Sequence, residues 1–343
     1  MGNVLRSERK HGMELHRRIC VSLVVVPLLT VSGIGGKSSP LYAEEPANPA
    51  DSVPREMVAQ DSLLSGAFTA VFEIEVEKNF LGPDQSRATK VCHYTASDAA
   101  VGLTVETKYE ADPPYRPVNT PGYSAYRPLD FDRDGNLIVW RSLRKVSLST
   151  AHFNRLYDEH EVMRIAPSGE VLSKARGPEV YEYAVGSRAN FYEFDQFRMA
   201  AGRGFTSQIE QVKAQRTLVN GIQELVFDAP FGPEVRADWH LYVDPENNNL
   251  VRQADRFSRT FKRPSLHMEN RGVIRKDGLT LAMEGSLSYA LDEQQDYILK
   301  VTVVDFSAQA DKKHLDQIRA LVTGPFPPDT KIVDHKALFP QRP

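Results

Sequence analysis

The chain is almost without cysteine: Cys20 and Cys92 are the only two in 343 residues. If Cys20 leaves with a signal segment, as argued below, Cys92 stands alone and no intramolecular disulfide can form. Within V-C-H-Y, Cys92 reads as a small buried apolar side chain rather than a reactive thiol. Also missing are a G-x-S-x-G elbow, a phosphate-binding glycine loop and a full dinucleotide fingerprint. Gly202-Arg203-Gly204 has no third glycine and follows a predicted helix, so it reads as structural. His160-Glu161 fails as a zinc motif because Arg164 stands where the second histidine belongs. The remaining histidines show no metal-ligand spacing. No cofactor is expected, and no catalytic motif recommends an enzyme.

Long apolar runs are missing too. The most apolar stretch, Val21–Thr30, is interrupted by Pro27 and falls short of the ~20 residues a membrane-spanning helix needs. Arg17-Arg18 precede it and Gly33, Gly35 and Gly36 follow, which is the layout of a secretory signal. Leu41-Tyr42-Ala43 is the expected cleavage site, so residues 1–43 form the signal, with Met13 an alternative start. Cys20 precedes the apolar run, whereas a lipoprotein cysteine follows it. The expected product is exported, periplasmic or extracellular, soluble after cleavage near Ala43, and peripheral at most to a membrane.

Six of the 42 basic residues (Arg6, Arg9, Lys10, Arg17, Arg18, Lys37) and two of the 45 acidic ones (Glu8, Glu14) fall in that signal. The remainder carries 36 basic against 43 acidic side chains, a net of −7. Such a balance argues against a nucleic-acid partner.

What is present is period-two patterning. Residues 44–60 read as a leader, with three prolines in Glu44–Pro54 and a short helix from Arg55 to Leu64. Phe68, Ala70, Phe72, Ile74 and Val76 then alternate with Thr69, Val71, Glu73, Glu75 and Glu77, the pattern of a strand with one face on a core. Strands are predicted at Ala88–Thr95, Gly102–Tyr109, Leu137–Arg141, Lys145–Leu148, Gln208–Ala214, Gln223–Phe227, Ser286–Leu291 and Tyr297–Phe306. In Asp238–Arg256, Trp239, Leu241 and Val243 share a face, and Asn247-Asn248-Asn249 can supply a left-handed turn. Lys276-Asp277-Gly278 joins a second hairpin. Ala151–Ile165 is ambiguous, with Phe153, Leu156, Tyr157 and Val162 marking a weak helical face, while Ala166-Pro167-Ser168-Gly169 reads as a hairpin turn between arms Glu161–Ile165 and Glu170–Ala175. Phe191, Phe194 and Phe197 mark a helix over Phe191–Ala201, and Ala310–Val322 another. Pro325–Asp334 reads as an extended edge. Asp112–Pro128, rich in proline and tyrosine, is a long surface loop.

Three groups of residues are candidate sites. Phe68, Phe72, Ile74, Phe191, Phe194, Phe197, Trp239, Leu241 and Val243 would line an apolar concavity. Arg252, Arg256, Arg259, Lys262 and Arg263, interleaved with Phe257 and Phe261, would offer an anionic partner a contact surface; a solvated strand face and loop is the plainer reading. Asp130, Asp132 and Asp134 imitate the start of a calcium loop, but the twelfth position holds Arg141 in place of a bidentate acid. A tight aspartate-glycine turn is the plainer reading.

Four segments carry a family resemblance: D-Q-F-R-M-A-A-G-R-G-F at Asp195–Phe205, W-H-L-Y-V-D-P at Trp239–Pro245, Gly278–Tyr289, and F-P-P-D-T-K-I-V-D at Phe326–Asp334. On these the chain resembles exported proteins of planctomycete-type bacteria that share the fold of the LolA/LolB outer-membrane lipoprotein-sorting carriers. The resemblance implies a mainly β, α+β fold: one curved, incomplete antiparallel barrel over residues 61–343, wrapped around short helices, with an apolar concavity for acyl chains. It transfers no activity by itself. The reading that follows is a non-enzymatic envelope protein binding a lipid, acyl chain or lipoprotein. The alternative is an envelope protein-interaction scaffold with a filled core and no ligand; a hydrolase would require a cleft of coupled titrating groups.

Overall fold

The computed structural model describes residues 54–78, 86–113, 131–185, 191–206, 211–218, 221–230, 236–258, 262–291, 296–328 and 330–334. The expected signal, the leader up to residue 53 and loop residues 114–130 lie outside them. In chain order the elements are α1 (Arg55–Ser65), β1 (Phe68–Lys78), β2 (Ala88–Ala96), β3 (Ala100–Tyr109), β4 (Leu137–Thr150), β5 (Asn154–Ile165) and β6 (Val171–Tyr183). Helix α2 (Tyr192–Ala200) follows, then β7 (Gln211–Thr217), β8 (Gln223–Pro230), β9 (Arg236–Asp244), β10 (Leu250–Phe257), β11 (Leu266–Arg271), β12 (Ile274–Lys276) and β13 (Leu279–Leu281). The chain ends with β14 (Glu284–Ala290), β15 (Asp296–Ser307), α3 (Lys312–Thr323) and β16 (Lys331–Asp334).

Fourteen strands make one sheet in the order β16-β6-β5-β4-β3-β2-β1-β15-β14-β11-β10-β9-β8-β7, and β12 and β13 form a separate hairpin. Only β16 runs parallel to its neighbour, β6. The edges β7 and β16 do not meet, so the sheet is an unclosed barrel. Its alternation is the physical origin of its two faces. Phe68, Ala70, Phe72 and Ile74 are fully buried and Val76 nearly so, while Glu73 and Glu75 on the other face are exposed.

One apolar cluster draws on nine neighbouring strands, from β3 round to β8. Laid flat, those strands would span roughly 38 Å at ~4.8 Å each. The single segment Phe191–Phe205 nevertheless reaches Tyr94 on β2, through Phe194 at 3.4 Å between ring centroids, and Trp239 on β9, through Phe205 at 5.8 Å. The sheet must curl around that segment for both contacts to exist. Register shifts at Val71/Phe72 and Val76/Lys78 on β1, and at Val251/Gln253 on β10, supply bends. Helix α3 covers the opposite face, with Leu315, Ile318 and Val322 against Ala100, Val146 and Leu148.

Three sequence expectations change. Leu137–Arg141 and Lys145–Leu148 are one strand, β4; a register shift between Ser142 and Arg144 breaks the alternation that made them look like two. Ala151–Ile165 is not helical: from Asn154 it pairs with β4 on one side and β6 on the other, and these ladders override the helical spacing of its aromatics. Leu266–Arg271 is a strand that was not anticipated, burying Leu266 and Met268 at period two. The Asp238–Arg256 hairpin is as expected, with Asn248 and Asn249 at φ 54° and 51°.

Helix and sheet backbones come close at Gly285 on β14, where an added Cβ would lie 2.2 Å from the Ala200 carbonyl oxygen. Backbone cannot swing aside as a side chain can. Gly285→Ala should therefore lose about 1–3 kcal/mol in urea unfolding; an unchanged midpoint would show that α2 is not seated against β14.

Candidate functional site

The nine residues expected to line an apolar concavity come together. Phe68, Phe72, Ile74, Phe197, Leu241 and Val243 are fully buried, and Phe191, Phe194 and Trp239 nearly so, all in one cluster. Among the described residues this space is occupied by α2. Phe197 stacks on Phe72 at 4.6 Å, Phe194 on Tyr94, and Phe194 and Phe197 on each other at 5.6 Å. The helix is a plug of aromatic rings in the hollow of the sheet.

The two ends of that plug are held differently. Past the C-terminal end, Gly202 and Gly204 take φ of 77° and 81°, backbone that glycine adopts without strain. Between them Arg203 is fully buried. Its guanidinium donates to the carbonyls of Thr280 (2.9 Å), Asn248 (3.1 Å) and Asn249 (3.2 Å). Burial lowers its pKa to about 10, with Asp61 acting to raise it, so it remains a cation. Asp61 of α1 accepts from Gly204 N at 2.9 Å and from Thr206 N and Oγ1 at 3.1 and 2.8 Å. Gln60 donates to Gly278 O and accepts from Thr280 N. One buried polar knot thus ties α1, the end of α2, the β9–β10 turn and the β12–β13 hairpin. Sequence reading took Gly202-Arg203-Gly204 as a helix stop and missed the arginine's role.

Near its N-terminus α2 carries polar groups into the same interior. Glu193, 1% exposed, accepts from Lys90 Nζ at 2.9 Å and Lys145 Nζ at 2.5 Å. Burial pushes its pKa up, but the two ammoniums outweigh burial and hold it well below the usual carboxylate range. Cys92 lies beside this trio, its thiol pushed up first by burial and then by Glu193, and so stays protonated. One turn further on, Gln196 is fully buried with neither Nε2 nor Oε1 hydrogen-bonded. The hydroxyls of Tyr192 and Tyr297 are within loose hydrogen-bonding reach of it, short of good geometry. Tyr289, whose ring centroid is 6.0 Å from that of Tyr297, also has a buried hydroxyl without a well-formed hydrogen bond, with the Tyr192 hydroxyl beside it. Leaving such groups unpaired costs about 1–3 kcal/mol each.

The basic run is largely tied into the fold. Arg252 pairs with Asp244 at 2.9 Å and donates to Gly272 O at 3.1 Å. Arg263 meets Asp296 at 2.6 Å, and Arg256 donates to Ser265 Oγ at 3.0 Å with its guanidinium 5.8 Å from the Trp239 ring. Lys262 is exposed; Arg259 and Phe261 lie outside the described residues. Asp130 does too. Asp132 Oδ1 accepts from Asp134 N and Asn136 N at 2.9 Å, and Arg164 bonds both Asp132 and Asp134. Burial opposes ionisation of Asp132, but these hydrogen bonds bring its pKa down to about 2. A guanidinium sits where a cation would coordinate. No group of three or more potential metal ligands occurs among the described residues.

Ser142 Oγ donates straight to Asp158 Oδ1 at 2.5 Å. That is a hydrogen-bonded pair with no imidazole between hydroxyl and acid, unlike a triad. On the outer face, a groove of about 310 Å³ runs beside α3, lined by Val71, Val91, Thr104, Ile318 and Leu321. His93 and His314 stack there at 3.6 Å; rings so nearly parallel (7°) cannot both aim a nitrogen at one metal ion. No helix among the described residues is long and apolar enough to cross a membrane.

No family model matches the chain, and no curated protein matches it. Among solved structures, a DUF1329 family protein from Desulfovibrio piger ATCC 29098 aligns over 75% of this chain and 91% of its own, at 9% identity and a TM-score of 0.37. A LolA superfamily protein from Nitrosomonas europaea aligns over 76% of this chain and 95% of its own, at 9% identity and a TM-score of 0.38. The second bears the family name that the sequence motifs resemble. At these scores the likeness brings no activity with it.

Proposed function

We propose that this is a non-enzymatic protein of the cell envelope, exported and freed by cleavage near Ala43, that carries the acyl chain of a lipid or lipoprotein in the space α2 now fills. The observation that supports it is the uneven seating of the plug. Beyond its C-terminal end lies the Arg203–Asp61 knot. Toward its N-terminal end it buries an ion pair and unbonded polar groups among aromatic rings. Such an end costs more to keep buried than a purely apolar helix would. Lifting it about the Gly202–Gly204 turn would open the apolar floor formed by Phe68, Phe72 and Ile74 to a chain of methylenes. The Glu193–Lys90–Lys145 cluster is then the latch.

The competing reading, a scaffold with a permanently filled core, draws on the same packing: the nine apolar residues are buried against one another. The two readings separate on ligand content. Organic extraction and mass spectrometry of the purified chain should recover acyl lipid, and the emptied protein should take up cis-parinaric acid with a saturable fluorescence rise. A chain free of lipid that ignores the probe would leave the scaffold.

The latch makes a second prediction. Glu193→Gln strands two ammoniums in a low-dielectric site and should cost about 3–5 kcal/mol at neutral pH. Because the folded pKa of Glu193 is depressed, its stabilisation is fully present above its ordinary value of 4.5 and is lost as pH falls below that toward the folded value. Urea midpoints of the parent should therefore drop between pH 5 and 3 more steeply than those of Glu193→Gln. Parallel pH profiles would remove Glu193 as the latch.

A further inference from the structure

The unpaired polar groups are gathered at one place. Tyr289 on β14 is in register with Tyr297 on β15 and, through Leu266 on β11, stands in the same cross-strand row as Arg256 on β10, opposite Trp239. Tyr192 and Gln196 lie one turn apart on α2, Tyr192 close to the Tyr297 and Tyr289 hydroxyls and Gln196 close to the Tyr297 hydroxyl. Two of these groups, the Gln196 amide and the Tyr289 hydroxyl, are buried without a well-formed hydrogen bond, their nearest partners being the other hydroxyls of the cluster. The cluster stands at the border of the aromatic interior, where Trp239 packs between Phe205 and Phe227. An apolar hollow with a polar wall at one end fits an amphiphile better than a plain hydrocarbon.

The chemistry of the wall is one of donors. Tyr192, Tyr289 and Tyr297 present hydroxyls, Gln196 an amide nitrogen, and Arg256 a guanidinium facing Tyr289 and Tyr192. Burial raises all three tyrosines, Tyr297 to about 12, so each keeps its proton. Gln196 Oε1 is the only carbonyl-type acceptor among them. Asp195, the acid that acts on Tyr289, has its charge matched by Arg198 at 2.6 Å. Donors in excess of acceptors, with one cation, select an oxygen that accepts several hydrogen bonds and bears negative charge.

We propose that Tyr192 and Gln196 of α2, with Tyr289, Tyr297 and Arg256 of the sheet, form the subsite for the head of the carried molecule, and that this head bears an anionic oxygen, carboxylate or phosphate. The proposal rests on the carrier reading and narrows its cargo to single-chain acidic amphiphiles. The sheet residues stay fixed while α2 lifts, so the head is met first by Tyr289, Tyr297 and Arg256. Tyr192 and Gln196 close over it when the helix returns.

The test measures binding of cis-parinaric acid and of its methyl ester to the full chain, with a lysophosphatidic acid as competitor. The acid should bind on the order of tenfold more tightly than the ester, a difference of one hydrogen-bonded charge. Tyr289→Phe and Gln196→Leu should each weaken the acid about tenfold and leave the ester unchanged. Gln196→Leu should also melt no lower than the parent, since it removes two unsatisfied buried groups; a purely structural glutamine would lower the melting point. Displacement of the acid by lysophosphatidic acid at lower concentration assigns the head as phosphate, and at higher concentration as carboxylate. If acid and ester bind equally in the parent and in both variants, the cluster holds a trapped water only and the head subsite is overturned, while the carrier stands. If neither probe binds, the carrier reading fails and this inference with it.

Discussion

The arrangement depends on one buried cation. Arg203 is fully enclosed and would cost several kcal/mol to desolvate if it were alone. It is tolerated because carbonyls of Thr280, Asn248 and Asn249 converge on its guanidinium and because Asp61 stands nearby. Those carbonyls belong to the β9–β10 turn and to β13 of the second hairpin, so the charge fixes where both turns lie. Apolar packing could not do this, since it sets no direction. With the turns placed, the glycines either side of Arg203 aim α2 into the hollow of the sheet, and Gly285 leaves room for its last turn.

From that fixed point the energetics run along α2 from secure to costly. Its C-terminal residues rest on backbone and a satisfied polar knot. Its middle contributes stacked rings, worth about 0.5–1.5 kcal/mol per pair beyond their area. Toward the N-terminus come Glu193, a buried charge that only its two lysines make tolerable, and Gln196, whose buried amide makes no well-formed hydrogen bond. A helix seated to stay would place leucines there. The polar residues are informative because a filled core alone gives them no purpose.

Much of the sheet was legible from alternation. The row Phe68–Val76 and the row Trp239–Val243 both point inward, as period two requires, and Phe191, Phe194 and Phe197 do mark a helix. The two asparagines of the β9–β10 turn adopt the left-handed backbone their composition suggested. What escaped were the interactions joining residues distant in sequence. Glu193 meets lysines 103 and 48 positions away, and Arg203 meets carbonyls 77, 45 and 46 positions away; no local pattern records such pairings. Strand β11 hid behind the basic run, and β4 looked like two strands because its register shift interrupts the period. The basic run itself shows the limit of counting charge: Arg252 and Arg263 are matched by Asp244 and Asp296, eight and thirty-three residues off.

The central claim is that α2 opens at one end while the sheet remains folded. Native-state amide hydrogen exchange at low denaturant reports this directly, because partial openings exchange through a lower free energy than global unfolding. The account predicts that amides of Glu193–Phe197 exchange at least about tenfold faster than those of Phe72–Val76 on β1, with Ala201–Arg203 protected like β1, and that an acyl ligand changes the first group alone. Exchange of Glu193–Phe197 at the same rate and with the same denaturant dependence as β1 would mean that α2 is ordinary core, and would contradict it.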